Sequence, residues 1–350
     1  MNEKKYFDGT DFSSTKRNIE YINLKNTEKY IMNNRNQKLH TRHVFTDKHP
    51  PDAIIICLHG YGSHINRFVY KKLYENLTNN GYAFIGLDFH GHGYSDGERA
   101  LVTNYIHLIE DVLCLLVDIF RNGSSTGVGL CKIPFYIMGH SMGGAIAILT
   151  SLLLTNYSVN FSKGILQSEF YTENKDFIHR KISPYFKGCV LMCPAIDINI
   201  CSFPFLNYFI KKIPFSYASN YSIPKYILDE SKYNNLCWSC PKYLKYIEDD
   251  GYPNNPKGIG YGGNIKLGTL NSIITLSDTV KNKIKHIEFP FIVMHDSIGD
   301  SVVKSSGSKF LIDNSCSKDK IYIEIKDGLH DMLANKTDET IKHILKWLNK

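Results

Sequence analysis

Short, continuous apolar runs alternate with amphipathic segments along most of the chain. Residues 53–58, 82–88 and 188–193 are apolar runs of strand length, which is typical of strands buried on both faces of a sheet. Residues 67–79 and 104–120 instead repeat apolar side chains at helical spacing. Strands that alternate with helices in this way predict an α/β fold, with a mostly parallel central sheet flanked by helices.

Further strands and helices are predicted at both ends of the domain. Two strands are predicted around Tyr30 and over residues 38–45, with a turn at the asparagine-rich residues 33–36 between them. Near the C-terminus the pattern resumes with strands at 289–294 and 321–325 and helices at 303–314 and 338–348.

The alternation is interrupted in two places, which define the predicted domain organisation. Residues 196–286 are rich in Tyr, Pro, Asn and Lys, and we interpret them as a helical cap inserted into the α/β domain, with a helix at 267–284. Residues 156–186 are interpreted as a smaller surface insertion. The predicted units are a flexible extension (1–19), the first part of the core (20–195), the cap (196–286) and the second part of the core (287–350).

A strand, a sharp turn and a helix are predicted over residues 133–150, and the turn carries the motif Gly139-x-Ser141-x-Gly143. A turn this tight leaves no room for side chains beside the serine, and the flanking glycines meet that requirement. The strained turn would expose the Ser141 hydroxyl above the sheet as a nucleophile.

A serine nucleophile needs a histidine base, and the base needs a carboxylate that fixes its tautomer. After a Gly-x-Ser-x-Gly turn these follow in the order acid, then histidine, on loops after late strands. Asp300 follows the penultimate predicted strand, and His330 follows the last one. We therefore predict a catalytic triad of Ser141, Asp300 and His330, with Asp296 as the alternative acid.

Acyl transfer also requires N–H donors that bind the oxyanion. One is expected from the residue after the nucleophile, Met142. The other is expected from the glycine-rich loop after the strand at 53–58, where the backbone N–H of Tyr61 is the best candidate. Residues beside these donors are expected to contact the substrate, namely His59, Gly60, Gly62 and His140.

Three aromatic residues of the predicted cap are candidates for lining an acyl-chain pocket: Phe203, Phe205 and Phe209. Packing of the cap onto the sheet is an equally good interpretation of the same residues.

Composition and charge narrow the class of protein. The net charge is +7, but the lysines are dispersed, which does not favour nucleic-acid binding. Nine cysteines, several of them in apolar runs, favour reduced thiols in a reducing compartment. The first residues are polar, so no signal peptide is expected, and no apolar run has the length of a membrane span. We expect a cytoplasmic protein with no obligate protein partner, which contacts membranes at most peripherally and transiently.

Two sequence features suggest a metal at first sight. His90 and His92 lie on one glycine-rich loop, and Cys237 and Cys240 form a Cys-x-x-Cys pair. The cysteines have no second pair nearby, and a serine nucleophile requires no metal. We predict a structural role for the two histidines and a reaction without metal or cofactor.

These motifs together resemble the monoacylglycerol lipase and lysophospholipase branch of the α/β-hydrolase superfamily, the serine aminopeptidase S33 or hydrolase-4 group. The shared stretches are residues 59–64, 88–97, 139–144 and 300–307, together with His330. The resemblance implies hydrolysis of an acyl ester of a lipid. It also implies Ser141, Asp300 and His330 as the triad, and Tyr61 and Met142 as the oxyanion donors.

The chain departs from the family's pattern in the acid loop, which usually reads His-Gly-x-x-Asp. Here Asp296 takes the glycine position, and one extra residue precedes Asp300. The family's Asp-Pro near the cap exit is Asn255-Pro256. We predict a serine hydrolase for a monoacylglycerol or a lysophospholipid. The alternatives are a general carboxylesterase, an acyl thioesterase, an aminopeptidase-like hydrolase and a catalytically silent binding module.

Overall fold

The sheet lies at the centre of the molecule, in a computed structural model that describes residues 26–122, 130–156, 168–198, 219–224 and 237–350. In this part of the chain eight strands form one sheet in the order β1-β2-β4-β3-β5-β6-β7-β8. β2 pairs antiparallel with β1 and with β4, and all other neighbouring strands of this sheet are parallel. The strands are β1 (Asn26–Met32), β2 (Lys38–Val44), β3 (Ile54–Leu58), β4 (Ala83–Leu87), β5 (Phe135–His140), β6 (Phe186–Met192), β7 (Phe291–His295) and β8 (Lys320–Glu324).

Helices flank this sheet on both sides, which confirms the predicted α/β-hydrolase fold class. They are α1 (Phe68–Asn79), α2 (Ile106–Asn122), α3 (Met142–Thr155), α4 (Glu169–Phe177), α5 (Pro241–Asp250), α6 (Leu267–Lys283), α7 (Ser305–Asn314), α8 (Met332–Asn335) and α9 (Thr337–Leu348). No helix among these residues is long and apolar enough to cross a membrane.

The apolar runs form strands because both faces of the sheet are covered. Ile54 and Ile56 of β3 pack into the core on one face, with α2 and α3, whereas Ile55 packs into the core on the other face, with α1 and α9. All five residues of β3 are buried. A continuous apolar sequence is therefore required, and the alternating pattern of a half-exposed strand is not seen.

The strands and helices predicted outside the cap are confirmed. Their ends agree to within a couple of residues except at α3, which continues past the predicted residue 150 to Thr155. Helix α5, inside the predicted cap, was not predicted; Ile247 is its one buried residue. In the described part of the predicted surface insertion, Tyr171, Ile178 and Ile182 are buried in the core cluster. That segment therefore contributes to the core as well as to the surface.

Candidate active site

Ser141 is the single residue between the end of β5 and the start of α3, and its backbone has φ 54° and ψ −118°. A positive φ is strained for any residue other than glycine. A Cβ atom on Gly139 would lie 2.3 Å from the carbonyl oxygen of Gly143, and one on Gly143 would lie 2.4 Å from the carbonyl oxygen of Leu58. The two glycines are thus required by the close approach of turn, helix and β3, and the turn holds Ser141 above the sheet.

The structure brings the three predicted triad residues together in hydrogen-bonding order. The Ser141 hydroxyl lies 2.9 Å from Nε2 of His330. On the other side of the imidazole, Nδ1 lies 2.8 Å from Oδ2 of Asp300. Asp300 follows β7 and His330 follows β8, so the edge formed by the carboxyl ends of the parallel strands gathers all three.

The carboxylate of Asp300 is held by more donors than the sequence predicted. Its Oδ1 accepts the backbone N–H groups of Val302 and Val303 at 2.9 Å each. A second histidine, His295 at the end of β7, places Nε2 3.1 Å from Oδ2. His295 was not predicted as a site residue, although it takes the histidine position of the acid-loop pattern His-Gly-x-x-Asp and precedes the alternative acid, Asp296.

Burial and nearby charges have opposite effects on the pKa values of Asp300 and His330. Burial would raise the pKa of Asp300, but the charge of His330 and hydrogen bonds from His295 and His330 outweigh it and hold that pKa well below its usual range. Burial would lower the pKa of His330, but Asp300 outweighs burial and raises it. Asp300 therefore stays ionised while the imidazole gains basicity.

The raised pKa of His330 predicts the pH profile of catalysis, because a general base must be unprotonated. We expect kcat/KM to fall as the pH is lowered through a midpoint above 6.5, the ordinary value for histidine. Measuring ester hydrolysis from pH 5 to 9 gives this midpoint. Asp300→Asn should move it to lower pH, because the anion that stabilises the imidazolium is lost. A midpoint that does not move would contradict the assignment.

Asp296, the alternative acid, faces backbone groups rather than the imidazole. Its Oδ1 accepts the N–H of Gly299 at 2.8 Å, and its Oδ2 accepts the N–H of Leu329 at 2.9 Å. Next to it, Oε1 of Glu324, the last residue of β8, accepts the N–H of Ser297 at 2.7 Å. The two carboxylates therefore tie the acid loop to the end of β8 and to the loop that carries His330.

The predicted oxyanion loop lies directly against the nucleophile. A Cβ atom on Gly60 would lie 3.2 Å from Cβ of Ser141, a tight contact that would push the loop and the nucleophile apart. The carbonyl of Gly62 accepts the N–H of Tyr261 at 2.9 Å, which fixes the loop around Tyr61. Met142 begins α3, and the first amides of a helix have no acceptor within it.

Ser141 and His330 open into a cavity of about 500 Å³, bordered by the oxyanion loop, α5 and α6. Most of its lining side chains are apolar, as a ligand cavity for a lipid requires. The predicted substrate contacts divide into three groups. Gly60, Gly62 and His140 line the cavity; His59 does not; and Phe203, Phe205 and Phe209 lie outside the described residues.

The two histidines beside the serine support the loops. His59 is fully buried: its Nδ1 donates to the carbonyl of Gly60 at 2.7 Å, and its Nε2 accepts the N–H of Phe89 at 3.1 Å. His140 donates from Nε2 to the carbonyl of His330 at 2.8 Å. His59 thus holds the predicted oxyanion loop, and His140 holds the loop that carries His330.

The two histidines that suggested a metal, His90 and His92, have hydrogen-bond partners within the protein. Nδ1 of His90 lies 2.7 Å from Asp111, and Nδ1 of His92 lies 3.0 Å from the carbonyl of His90. Among the described residues, one group of three possible ligand atoms lies within 4.8 Å: Cys193, His295 and Asp300. Two of its members belong to the hydrogen-bonded acid described above.

The sequence profile of the hydrolase-4 family, described as serine aminopeptidase S33, matches residues 49–182 and 176–337. The chain belongs to this family. The relationship confirms the resemblance that the motifs predicted.

Two relatives and one solved structure show how far the similarity of this S33-family chain extends. The monoglyceride lipase of Mus musculus is 24% identical over 337 residues, which cover 96% of this chain and 92% of the relative. The monoglyceride lipase homolog of Monkeypox virus is 24% identical over 296 residues, which cover 85% of this chain and 87% of the relative. A solved structure of a soluble variant of monoglyceride lipase from Saccharomyces cerevisiae, in complex with a substrate analog, superposes with a TM-score of 0.66. It is 17% identical, covers 97% of each chain and shows the shared fold.

Proposed function

We propose that this chain hydrolyses the ester of a single-chain lipid, a monoacylglycerol or a lysophospholipid, with Ser141, His330 and Asp300 as its catalytic triad. Family and relatives make it a lipid-ester hydrolase of the α/β-hydrolase type. The observation that supports the residue assignment best is the Ser141–His330–Asp300 chain of hydrogen bonds, at 2.9 and 2.8 Å, open to a largely apolar cavity.

In the first half of the reaction, Oγ of Ser141 attacks the acyl carbonyl carbon while Nε2 of His330 accepts the hydroxyl proton. The backbone N–H groups of Tyr61 and Met142 bind the oxyanion of the tetrahedral intermediate. The bond to the alcohol then breaks, and His330 gives its proton to the departing oxygen. Throughout, ionised Asp300 stabilises the imidazolium, in agreement with the lowered pKa of its carboxyl group.

In the second half, water takes the place of the alcohol. His330 accepts a proton from the water as its oxygen attacks the acyl ester of Ser141. Collapse of the second tetrahedral intermediate releases the fatty acid, and the proton returns from His330 to Oγ of Ser141. The cycle consumes one water and needs no other reactant.

An aminopeptidase activity would need carboxylates that converge on a substrate amine. The dense acidic stretch of the predicted cap does not supply them, because its members point to different surroundings. Glu248 borders the cavity, Asp249 is exposed, and Asp250 places Oδ2 2.7 Å from Nε2 of His64. This divergence favours an ester over an N-terminal amide as the substrate.

We further propose that the chain works in the cytoplasm and reaches its substrate by transient contact with membrane surfaces. The described cysteines all carry free thiols, which agrees with a reducing compartment. A single-chain lipid partitions between membranes and water. A cavity that opens to solvent can therefore bind such a lipid from water or during transient contact with a membrane surface.

A turnover panel tests the proposed substrate class. The panel contains monoacylglycerols, lysophosphatidylcholine, short nitrophenyl esters and aminoacyl amides, with Ser141→Ala as the blank for each. We expect kcat/KM for the long-chain lipid esters to exceed that for the short esters by about tenfold or more, since buried methylenes add binding energy in the transition state. Faster hydrolysis of the aminoacyl amides than of any lipid ester would exclude this function.

A further inference from the structure

Arg67, the residue before α1, lies in the wall of the cavity into which Ser141 and His330 open. Its side chain is buried, with 8% exposure. A guanidinium keeps its positive charge at every physiological pH. Among the described residues that line the cavity, Arg67 is the one arginine or lysine. A permanent cation therefore stands in the proposed substrate cavity.

The protein satisfies this guanidinium only in part. Of its five N–H donors, Nη2 donates to the carbonyl of Gly62 at 3.2 Å, while Nε has no acceptor among the described residues. The ring of Trp238 lies 5.7 Å from Cζ of Arg67 and offers a π face rather than a counter-charge. By contrast, the guanidinium of Arg35 has two carboxylate partners, at 2.8 and 2.5 Å.

The carboxylates near Arg67 have other partners or face water. Burial raises the pKa of Asp250, but His64 and, more weakly, Arg67 outweigh it and lower it, so Asp250 does interact with Arg67 through space. Its Oδ2 is nevertheless bound to His64 at 2.7 Å. Asp331 accepts an indole N–H at 2.9 Å, and Glu248 is exposed to solvent. Within the described part of the chain the buried charge of Arg67 is thus incompletely compensated, which is costly unless a ligand supplies an anion.

We propose that Arg67 binds the phosphate group of a single-chain phospholipid, so that the preferred substrate is a lysophospholipid rather than a neutral monoacylglycerol. This inference rests on the proposed function and narrows its substrate. A guanidinium presents parallel N–H donors that match two phosphate oxygens, whereas the hydroxyls of a neutral glycerol offer no counter-charge.

The position of Arg67 along the substrate path agrees with this assignment. The carbonyl that it contacts belongs to Gly62, the residue after Tyr61. The Cα atoms of consecutive residues lie about 3.8 Å apart. The amide of Tyr61 is the proposed oxyanion donor, so the ester carbonyl lies beside it. In a lysophospholipid the glycerol backbone separates the ester from the phosphate, so a substrate with its ester carbonyl beside Tyr61 carries its phosphate elsewhere in the same cavity, where Arg67 is the one described arginine or lysine.

The test compares two substrates that share one acyl chain, 1-lauroylglycerol and 1-lauroylglycerol 3-phosphate, on the full chain and below their critical micelle concentrations. We expect kcat/KM to be at least about tenfold higher for the phosphate substrate, mainly through a lower KM. Arg67→Gln should lower this ratio to about one. Arg180→Gln, a control with a side chain that is 78% exposed, should leave it unchanged.

The ratio of two activities in one preparation does not depend on the folded fraction, so partial misfolding of the Arg67 variant does not blunt the test. A wild-type ratio of one or less, or a ratio that Arg67→Gln leaves unchanged, would overturn the inference. Continued hydrolysis of 1-lauroylglycerol would then still support the proposed function. Inhibition by inorganic phosphate without a preference for the phosphorylated lipid would identify a site for free anions and also overturn the inference. Hydrolysis of neither lipid would overturn both proposals.

Discussion

Replacing Ser141 with alanine is expected to lower kcat for ester hydrolysis by a factor of about 10⁴ or more, because no other group can form the acyl-enzyme. The hydroxyl lies 2.9 Å from Nε2 of His330, and the turn between β5 and α3 places it in the cavity. The measurement is single-substrate kinetics with a monoacylglycerol, with an active-site titration of the wild type as reference.

The same substitution should leave the fold intact. Alanine keeps Cβ and removes only the hydroxyl, so we expect the melting temperature to change by no more than about 2 °C. Turnover within tenfold of the wild type, in a preparation that melts normally, would show that Ser141 is not the nucleophile.

Replacing Asp300 with asparagine is expected to lower kcat by about 10⁴, because the neutral amide can favour the wrong tautomer of His330 and cannot stabilise the imidazolium. Asp296→Asn is the matched control. That residue accepts the N–H groups of Gly299 and Leu329, so its loss should disturb loop positions and cost less than about 100-fold.

The comparison of these two variants settles which carboxylate is the acid. A large loss in Asp296→Asn together with a small loss in Asp300→Asn would reverse the assignment. The pH profile separates the two roles further. Asp300→Asn should lower the apparent pKa of the acidic limb, because Asp300 is what raises the pKa of His330, whereas Asp296→Asn should leave that limb near its wild-type position.

Much of the site could be predicted because its requirements are local in sequence. The turn at Ser141 tolerates only glycine at positions 139 and 143, since any Cβ there would meet backbone atoms, and that constraint is visible as a motif. Asp300 and His330 could be predicted because parallel strands end at one edge of the sheet. The strand order alone then brings the residues that follow late strands to the nucleophile.

What could not be predicted depends on long-range packing. His295 contacts the carboxylate of Asp300 because β7 ends at that point, and its place in the acid-loop pattern does not by itself indicate this contact. The partners of Asp296 lie on two loops, one of them beyond β8. The cation in the cavity, Arg67, could not be distinguished by sequence from a solvated surface arginine, because its burial depends on the segments around Trp238 and Tyr261.

The reactivity of Ser141 tests the central claim most directly. The folded chain should be incubated with a fluorophosphonate, digested, and analysed by mass spectrometry, with the Ser141→Ala variant alongside. We expect one equivalent of label on the peptide that contains Ser141, complete loss of ester hydrolysis in proportion to labelling, and no label on the variant. A folded wild-type chain that takes up no label, or that is labelled and inactivated at another residue, would contradict the account.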